Sequence, residues 1–278
     1  MKMAIPKVAA IHDLSGLGKC SLAAAISILS VCGVQAVPLA TAVLSNQTAF
    51  PSYTGVDLSE YMPMIADQWS KMGVNFEGIF TGYLSNERQV EWVGNFIDRF
   101  SKKDALVLID PVLGDEGVYY RGFGEQMRLA MRSLCVKADV ITPNLQEAEV
   151  LCGKQLSTVS DMQQAAKELL KFGCKAVLLK GGHLGGNQMV DVLLMVGRTA
   201  PRLYSATKVE SRNTHGTGCS LSSAIATLLA QGRSLPEAVD GAKTYVREGI
   251  RKGKDIEIGS GHGPLNHFFA PIPMKIKE

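Results

Sequence analysis

Short apolar runs alternate with helix-like segments along the chain, and no other feature restricts its fold as strongly. The apolar runs are rich in Val and Ile, and Gly or Pro bounds several of them, as is typical of buried parallel strands. They lie at residues 8–11, 36–44, 78–84, 105–109, 140–142, 176–179 and 190–196. Helices are predicted at residues 20–31, 220–230 and 235–252. This alternation predicts an α/β fold with a mostly parallel central sheet, helices on both faces and right-handed crossovers.

A further helix is marked by its boundary residues. Ser-Asp-Met-Gln at residues 160–163 is typical of a capping box, and Gly173 fits the C′ position that ends the helix. The chain contains no internal repeat, low-complexity tract or obvious linker. We therefore expect residues 1–278 to form a single domain.

The composition excludes several classes of protein. Of the 278 residues, 46% are hydrophobic and 20% are charged, which is usual for a globular protein and not for a disordered one. The 29 basic and 26 acidic residues give a net charge of +3, too balanced for nucleic-acid binding driven by counterion release. No apolar run reaches the roughly 18–20 residues of a membrane span. We expect neither nucleic acid nor membrane as a partner.

The cysteines indicate a reducing environment. All 6 are scattered, and none forms a Cys-x-x-Cys pair, so the sequence predicts neither a zinc site nor a disulfide framework. The N-terminal residues lead into the first apolar run without the long apolar region and cleavage site of a signal peptide. The expected location is cytoplasmic.

Polar residues follow most of the predicted strands. They lie at residues 12–18, 45–48, 83, 110–115, 144–147 and 180–183. Open α/β sheets bind ligands at the carboxyl ends of their strands. These residues therefore predict one composite cleft at that edge of the sheet.

The segment with the most chemistry precedes a predicted apolar helix at residues 213–220. Gly216 and Gly218 allow the backbone to turn sharply and to approach a ligand. The N–H groups of residues 216–219 would then converge at the helix N-terminus and form an anion hole. The same field would stabilise the thiolate of Cys219, which could act as a general base. The alternative is a Gly-rich helix start with a buried, inert cysteine.

Acidic residues are found in two other segments of the predicted cleft. Asp110 and Asp115 follow a buried strand and suit a divalent cation bridged to phosphate, although Asp is also common in turns. Asn144 and Glu147 share one face of a first helical turn, where an acidic residue often serves only to complement the helix dipole.

Basic residues also lie in this cleft. Lys180 closes a strand and precedes Gly181, Gly182 and His183, a combination of cation and flexible backbone that suits phosphate or ribose. His183 and His215 are candidates for direct chemistry, but histidines in such loops more often hold a turn through hydrogen bonds.

The Gly-rich segment after the first strand matches neither standard nucleotide-binding motif. A Walker A loop would need Gly in place of Asp13 and Ser or Thr in place of Cys20, and a Rossmann fingerprint would need Gly in place of Ser21. A tight strand-to-helix turn explains the glycines. It does not explain His12, Asp13 and Ser15, which could hydrogen-bond a small polar ligand.

Taken in order, these motifs resemble the ribokinase-like superfamily, and within it the vitamin B6 kinases and the related hydroxymethylpyrimidine kinases. The resemblance extends over residues 7–270. The motifs that carry it are Asp-Pro-Val at 110–112, Thr-Pro-Asn-x-x-Glu at 142–147, Lys-Gly-Gly-His at 180–183 and Gly-Thr-Gly-Cys at 216–219.

The two halves of the chain resemble different branches. Residues 12–16, 42–48 and 81–84 are similar to pyridoxal or pyridoxamine kinases, whereas residues 213–219 and 261–267 are similar to hydroxymethylpyrimidine kinases. Many pyridoxal kinases carry Asp in place of Cys219. Hydroxymethylpyrimidine kinases typically have Gly-Ala-Gly-x-Gln after the first strand, where this chain has Gly-Leu-Gly-Lys-Cys. The N-terminal half supplies the vitamin pocket in this superfamily, so the resemblance favours a vitamin B6 kinase, with a hydroxymethylpyrimidine (phosphate) kinase of thiamine biosynthesis as the alternative.

The resemblance implies ATP-dependent phosphorylation of the 5′-hydroxymethyl group of pyridoxal, pyridoxine or pyridoxamine. Cys219 would remove the hydroxyl proton, and the N–H groups of residues 216–219 (Gly216, Thr217, Gly218 and Cys219) would stabilise the transferring phosphoryl group. The implied ATP contacts are Asn144, Glu147, Lys180, Gly182 and Thr214. The implied Mg²⁺ partners are Asp110, Asp115 and Glu147. The implied vitamin contacts are Asp13, Ser15, Ser45 and Tyr83.

The resemblance also implies a lid at residues 114–124, a homodimer, and in some relatives a monovalent cation such as K⁺. Two other functions remain open at this point. A non-catalytic regulator that binds a vitamin or nucleotide would have no need of Cys219 as a base. A sugar or nucleoside kinase of the superfamily would usually carry Asp at that position and an additional β-lid domain near the N-terminus.

Overall fold

A computed structural model describes residues 5–48, 50–115, 118–119, 123–181, 187–257 and 263–267, without the side chains of residues 103, 115, 118 and 119. The strands are β1 (Lys7–Leu17), β2 (Gln35–Asn46), β3 (Gly55–Asp57), β4 (Phe76–Thr81), β5 (Ser101–Ile109), β6 (Gly114–Asp115), β7 (Val118–Tyr119), β8 (Val140–Ile141), β9 (Ala176–Lys180), β10 (Gln188–Met195) and β11 (Arg202–Thr207). The helices are α1 (Ser21–Val31), α2 (Met62–Lys71), α3 (Glu87–Phe100), α4 (Glu125–Cys135), α5 (Leu145–Cys152), α6 (Val159–Leu170), α7 (Thr217–Ala230) and α8 (Leu235–Gly253).

Nine strands form one sheet in the order β11-β10-β9-β8-β5-β4-β1-β2-β3. The six strands from β9 to β2 run parallel, and antiparallel partners extend both edges. The predicted mostly parallel α/β sheet is therefore confirmed. The edge strands β3 and β11 were not predicted, because they are short or largely exposed and lack the continuous apolar run of a buried parallel strand.

Helices cover both faces of the sheet, as predicted, and alternate residues of β1 divide the core between them. Val8 and Ala10 pack in a cluster with residues of α1, α7 and α8. Ala9 and Ile11 pack in a second cluster with residues of α2 to α6. The alternation follows from the two-residue period of a strand, which sends successive side chains to opposite faces.

The boundaries of α6 differ from those predicted. The capping box is formed by Thr158 and Asp161, whose side chain and backbone groups bond reciprocally, and not by Ser160 and Gln163. Asp161 at the third position is shorter than the usual Glu or Gln, which is why the standard pattern missed it. Gly173, predicted to be C′, lies one residue further along, with φ of 111°.

The chain reverses its direction of travel across the sheet at β1. From β1 it passes to β2 on one side, and later to β4 on the other. Such a switch point leaves a crevice at the carboxyl ends of the two strands beside it, here β1 and β4. Helix α7 packs against β1, β4 and β5 near this crevice. None of the described helices is both long and apolar enough to cross a membrane.

Candidate active site

One row of side chains along the carboxyl edge of the sheet faces α7. The core cluster on the α7 side includes apolar residues from five neighbouring strands, among them Ala10, Phe80, Leu108, Val140 and Leu178. Two residues further along each strand direction, and therefore on the same face, are His12, Gly82, Asp110, Thr142 and Lys180. The period of the strands thus brings residues far apart in sequence into one line at the start of α7.

The first turn of α7 is open to an anion. Its N-cap is Gly216, with φ of 77°, and no side chain caps the helix. A Cβ at this position would lie 3.0 Å from the Lys19 carbonyl oxygen, so both the conformation and the space require glycine. Among the described residues, the N–H groups of Gly218 and Cys219 have no hydrogen-bond partner. Free N–H groups and the positive end of the helix dipole favour a bound anion here.

Lys180 adds a positive charge at the same point. Its Nζ lies 3.5 Å from the position that a Cβ on Gly218 would take, and 2.9 Å from Oδ1 of Asp110. Burial lowers the pKa of Lys180, but Asp110 and Glu147 outweigh it and raise the pKa above its usual range. The ammonium group is therefore a permanent cation beside the helix N-terminus.

Asp110 and Glu147 provide hard oxygen atoms near Lys180. Oδ2 of Asp110 accepts a hydrogen bond of 2.9 Å from Ser222, whose hydroxyl is 3.0 Å from that of Thr142. Burial and the nearby Asp110 raise the pKa of Glu147 to about 8, against the opposing effect of Lys180.

Glu147 also completes a capping box with Asn144. The Asn144 N–H donates to Glu147 at 2.7 Å, and the Glu147 N–H donates to the Asn144 side chain at 2.8 Å. Both residues thus have a local structural role whether or not they contact ATP, and the predicted contacts stay predictions.

The two carboxylates fit Mg²⁺ that is held mainly by phosphate and water. Mg²⁺ commonly uses one or two protein carboxylates and keeps several waters. No group of three or more His, Cys, Asp or Glu side chains with metal-binding geometry occurs within the described part of the chain. The side chain of Asp115, the third predicted partner, is outside that part. Asp110 and Glu147 are consistent with a metal that arrives with the nucleotide.

The sulfur of Cys219 contacts His12 across the crevice. Sγ lies 3.5 Å from Nε2 of His12, although the two residues are 207 positions apart. The other ring nitrogen, Nδ1, is 2.8 Å from Oδ1 of Asp13. The backbone N–H groups of Asp13 and Tyr83 also donate to Nδ1, at 3.0 and 3.2 Å. His12 therefore connects the sulfur to a buried carboxylate.

The electrostatics of this second group favour a charged ring. Burial lowers the pKa of His12, but Cys219 and Asp13 outweigh it and raise the pKa to about 10. Burial raises the pKa of Asp13, but hydrogen bonds from His12, Ser21 and Ser15 lower it below its usual range. Ser15 donates to Oδ2 of Asp13 at 2.8 Å. Asp13 and Ser15 are both buried, and their predicted contact with substrate stays a prediction.

The other predicted substrate residues lie at the opening of the crevice. Tyr83 follows β4, and its ring stacks on that of Phe123, with centroids 5.9 Å apart. Burial raises the pKa of Tyr83 to about 12, so its hydroxyl stays protonated. Ser45 is exposed near the end of β2 and accepts a hydrogen bond from the Thr54 N–H.

Of two more predicted ATP contacts, Thr214 is among the described residues and Gly182 is not. Thr214 is exposed, and its carbonyl accepts the hydroxyl of Thr217 at 2.5 Å. Gly182 lies outside the described residues, as do His183 and residues 116, 117 and 120–122 of the predicted lid.

Sequence reasoning missed the partner of Cys219. His12 was considered only as a contact for a polar ligand, and His183 and His215 were the candidates for chemistry. The sequence did carry one signal, because residues 8, 10 and 12 of a strand point to the same face and His12 therefore lies on the face of Val8 and Ala10. Which helices cover that face could not be known from the sequence. Ser222 and Thr142, which orient Asp110, were missed for the same reason.

Comparisons with known proteins show the family of this chain. The model of the phosphomethylpyrimidine kinase family matches residues 18–266. The hydroxymethylpyrimidine/phosphomethylpyrimidine kinase of Rhizobium meliloti is 31% identical over 256 residues, which cover 90% of this chain and 92% of that protein. The thiamine biosynthesis bifunctional protein ThiED of Geobacter sulfurreducens is 35% identical over 211 residues, but the match covers 41% of that longer protein and 74% of this chain.

Solved structures give the same fold. A Bacteroides thetaiotaomicron protein assigned to the phosphomethylpyrimidine kinases and crystallised with pyridoxal is 37% identical, with a TM-score of 0.86 over 95% of this chain and 93% of that one. Pyridoxal kinase from Staphylococcus aureus in complex with ADP has a TM-score of 0.84 at 24% identity, over 95% of this chain and 94% of that one. The chain is therefore a kinase with the ribokinase-like fold and belongs to the phosphomethylpyrimidine kinase family.

Proposed function

We propose that this protein transfers the γ-phosphate of ATP to the 5′-hydroxymethyl group of pyridoxal, pyridoxine or pyridoxamine. One observation carries the proposal: the first turn of α7 brings free N–H groups, the Lys180 ammonium and the Cys219 sulfur together. The first two suit a transferring phosphoryl group, and the third suits the proton of the attacking hydroxyl.

In the proposed reaction, the substrate oxygen attacks the γ-phosphorus while Cys219 accepts its proton. The bond from phosphorus to the ADP oxygen breaks, and ADP leaves. The N–H groups of Gly216, Gly218 and Cys219 and the Lys180 ammonium stabilise the charge on the moving group. The Thr217 N–H, which donates to the Thr214 carbonyl at 3.3 Å, would join them only by leaving that bond. Positioning and electrostatic stabilisation of this kind dominate phosphoryl transfer. Asn144, Thr214 and Gly182 are the proposed further contacts of ATP.

Mg²⁺ would be held by Asp110 and Glu147, with Asp115, directly or through water, and when bound would neutralise charge on the phosphates. Asp110 is already oriented for this role by Lys180 and Ser222, whereas Glu147, whose pKa is raised to about 8, would lose its proton as the cation binds.

The vitamin would enter at the opening of the crevice. Tyr83 and Ser45 are the proposed contacts of its ring, by packing and hydrogen bonding, with Ser15 and Asp13 behind them. The relative from Bacteroides thetaiotaomicron supports a B6 vitamer, since it is 37% identical and was crystallised with pyridoxal. A homodimer is the proposed assembly, by resemblance alone.

A second candidate is a hydroxymethylpyrimidine or phosphomethylpyrimidine kinase. It is favoured by the names of the curated relatives, which include enzymes from Rhizobium meliloti, Bacillus subtilis and Salmonella typhimurium. The same phosphate-binding turn and the same base would serve either substrate.

A coupled assay of ADP release separates these functions. The purified protein is given ATP and Mg²⁺ with each B6 vitamer, with hydroxymethylpyrimidine, and with its phosphate. We expect ADP with at least one B6 vitamer. ADP with the pyrimidines alone would establish the second candidate. Tight binding of pyridoxal with no ADP from any substrate would indicate a non-catalytic binding protein.

A further inference from the structure

We infer that His12 takes the proton of Cys219 before substrate arrives, so that the base is a thiolate paired with an imidazolium whose counter-charge is Asp13. His12 would be a positioning residue, since it acts through the sulfur. The catalytic consequence rests on the proposed function, but the ion pair itself does not depend on it.

The ring of His12 stands between two groups that are anionic when charged. Nε2 faces the sulfur of Cys219 at 3.5 Å, and Nδ1 faces the carboxylate of Asp13 at 2.8 Å. Only a ring protonated on both nitrogens can donate to both partners. The N–H groups of Asp13 and Tyr83 also point at Nδ1, at 3.0 and 3.2 Å, and favour a lone pair there. The carboxylate, which is both the closer and the charged partner of Nδ1, outweighs them. His12 and Asp13 are buried and Cys219 is half-buried. Opposite charges in contact stabilise one another more strongly in such surroundings than at the surface.

The fold fixes the ring in this orientation. A Cβ on Gly82 would lie 2.0 Å from Cδ2 of His12, so the imidazole occupies the space that glycine leaves at the end of β4. Phe80 packs edge-on against the ring, with centroids 6.2 Å apart. The N–H group of Tyr83, which follows the same strand, donates a hydrogen bond to Nδ1. The sequence alone does not explain the glycine at position 82, whereas in the structure it leaves the space that the His12 ring occupies.

The proposed proton transfer balances without a further reactant. The S–H bond of Cys219 breaks, an Nε2–H bond forms, and the electron pair stays on sulfur. During phosphoryl transfer the thiolate takes the substrate's hydroxyl proton, while the new O–P bond forms and the bond to ADP breaks. Loss of that proton from sulfur to water, after product leaves, restores the ion pair.

Four groups around the pair keep their protonation state near neutral pH. Burial and the nearby Cys219 raise the pKa of Cys20 to about 12, and burial raises that of Tyr83 to about 12. Lys180, which also faces the sulfur, has a raised pKa, and Asp13 has a lowered one. Glu147, which acts on the nearby Lys180 and whose pKa is raised to about 8, changes charge between pH 6.5 and 8.5. A change in the reactivity of Cys219 over that range therefore reports on His12 only where it is lost in His12→Gln.

Alkylation by iodoacetamide tests the ion pair without any assay of activity. Trypsin releases residues 213–233 as one peptide whose single cysteine is Cys219, so mass spectrometry measures its rate of alkylation directly. Cys32, which is exposed, provides the internal reference. Because burial raises the pKa of the Cys32 thiol, the decisive comparison is between the native protein and the His12 variants. At pH 6.5 we expect Cys219 to react at least about tenfold faster than Cys32, because thiolates and not thiols are nucleophilic.

Two substitutions at His12 distinguish charge from hydrogen bonding. His12→Gln offers an uncharged N–H to the sulfur, and His12→Ala offers none. We expect both to slow alkylation at pH 6.5 by at least about tenfold and to make it rise with pH as for an ordinary thiol. If His12→Gln keeps the native rate and pH profile, a neutral hydrogen bond is sufficient and the ion pair is wrong.

Gly82→Ala displaces the ring while leaving the histidine in the chain. We expect it to slow alkylation as His12→Ala does, with the rate at Cys32 unchanged in every variant. An altered rate at Cys32 would indicate general unfolding, and the native thermal melting curve is the check on each variant.

The outcomes separate this inference from the proposed function. Fast alkylation that depends on His12, with no ADP released from any substrate, would support the ion pair and contradict the proposed kinase function. ADP release with a Cys219 no more reactive than Cys32 would overturn the ion pair and leave the function standing. If both hold, His12→Gln should lower kcat and leave the KM for ATP within about twofold, since the ring touches sulfur and not nucleotide.

Discussion

Two polar clusters meet at the first turn of α7, and they hold their charges in different ways. The phosphate-side cluster consists of Lys180, Asp110, Ser222, Thr142 and Glu147, and its central contact is a direct buried ion pair of 2.9 Å. The proton-side cluster consists of Cys219, His12 and Asp13.

The difference lies in how easily the central contact of each cluster, Lys180 with Asp110 or His12 with Cys219, changes protonation. The ammonium of Lys180 stays charged at any physiological pH, because its pKa is raised. The proton-side cluster contains an imidazole and a thiol in contact, so its charges depend on where one proton lies. A fixed cation suits the binding of a triphosphate, and a movable proton suits the activation of a hydroxyl. The comparison explains why one short helix turn can serve both ends of a phosphoryl transfer.

The largest effect is expected in the phosphate-side cluster. Lys180→Met leaves Asp110 buried and uncompensated, which typically lowers the free energy of unfolding by about 3–5 kcal/mol. The double variant Lys180→Met with Asp110→Asn removes both charges and should recover most of the loss. Urea unfolding of the three proteins measures this. A single variant as stable as the native chain would show that the ion pair is not the fixed charge described above.

Loss of Cys219 should affect turnover and not binding. We expect Cys219→Ala to reduce ADP release by at least about a hundredfold, the usual range for a general base, while the affinity for nucleotide changes little. Cys32→Ala removes an exposed cysteine and is the matched control. Turnover of Cys219→Ala within a few-fold of the native rate would remove Cys219 from its role as base.

Alanine in place of Gly216 should lower stability, whereas alanine in place of Gly218 should weaken the binding of ATP. Gly216→Ala meets both a φ of 77° and the Lys19 carbonyl, and should cost roughly 1–3 kcal/mol of stability. Gly218→Ala meets Lys180 Nζ only at an ordinary contact distance of 3.5 Å, so the fold should tolerate it. Its methyl group would stand where phosphate approaches, and the KM for ATP should rise. Identical losses of stability in the two variants would contradict this distinction.

The last effect concerns pH and the proton-side cluster. The folded-state pKa of His12 is raised to about 10 from 6.5, so its contribution to stability is complete below pH 6.5 and is lost as pH rises through about 10. The difference in Tm between the native protein and His12→Gln should therefore shrink across that range. A difference that stays constant from pH 6 to pH 10 would contradict a raised pKa for His12.

The sequence allowed prediction of those features that are local. Gly-Thr-Gly-Cys before an apolar helix predicted the open turn, and strand ends predicted where Asp110 and Lys180 lie. Asn144 and Glu147 show the limit of this reasoning, because the same side chains that suit a nucleotide also cap α5.

What could not be predicted depends on strand order. The contact between Cys219 and His12 requires that β1 and β4 lie side by side and that α7 begins above them. No pattern within β1 decides which of its faces meets α7, because Val8 to Ile11 are all apolar and buried. The space left by Gly82 likewise has meaning only after β4 is placed beside β1.

A crystal structure with a non-hydrolysable ATP analogue and pyridoxal would test the central claim most directly. We predict that the terminal phosphate contacts the N–H groups of Gly218 and Cys219 and the ammonium of Lys180. The 5′-hydroxyl should lie within hydrogen-bond reach of the Cys219 sulfur, at about 3.5 Å or less. A triphosphate bound away from the start of α7, or a sulfur without contact to either substrate, would contradict the account.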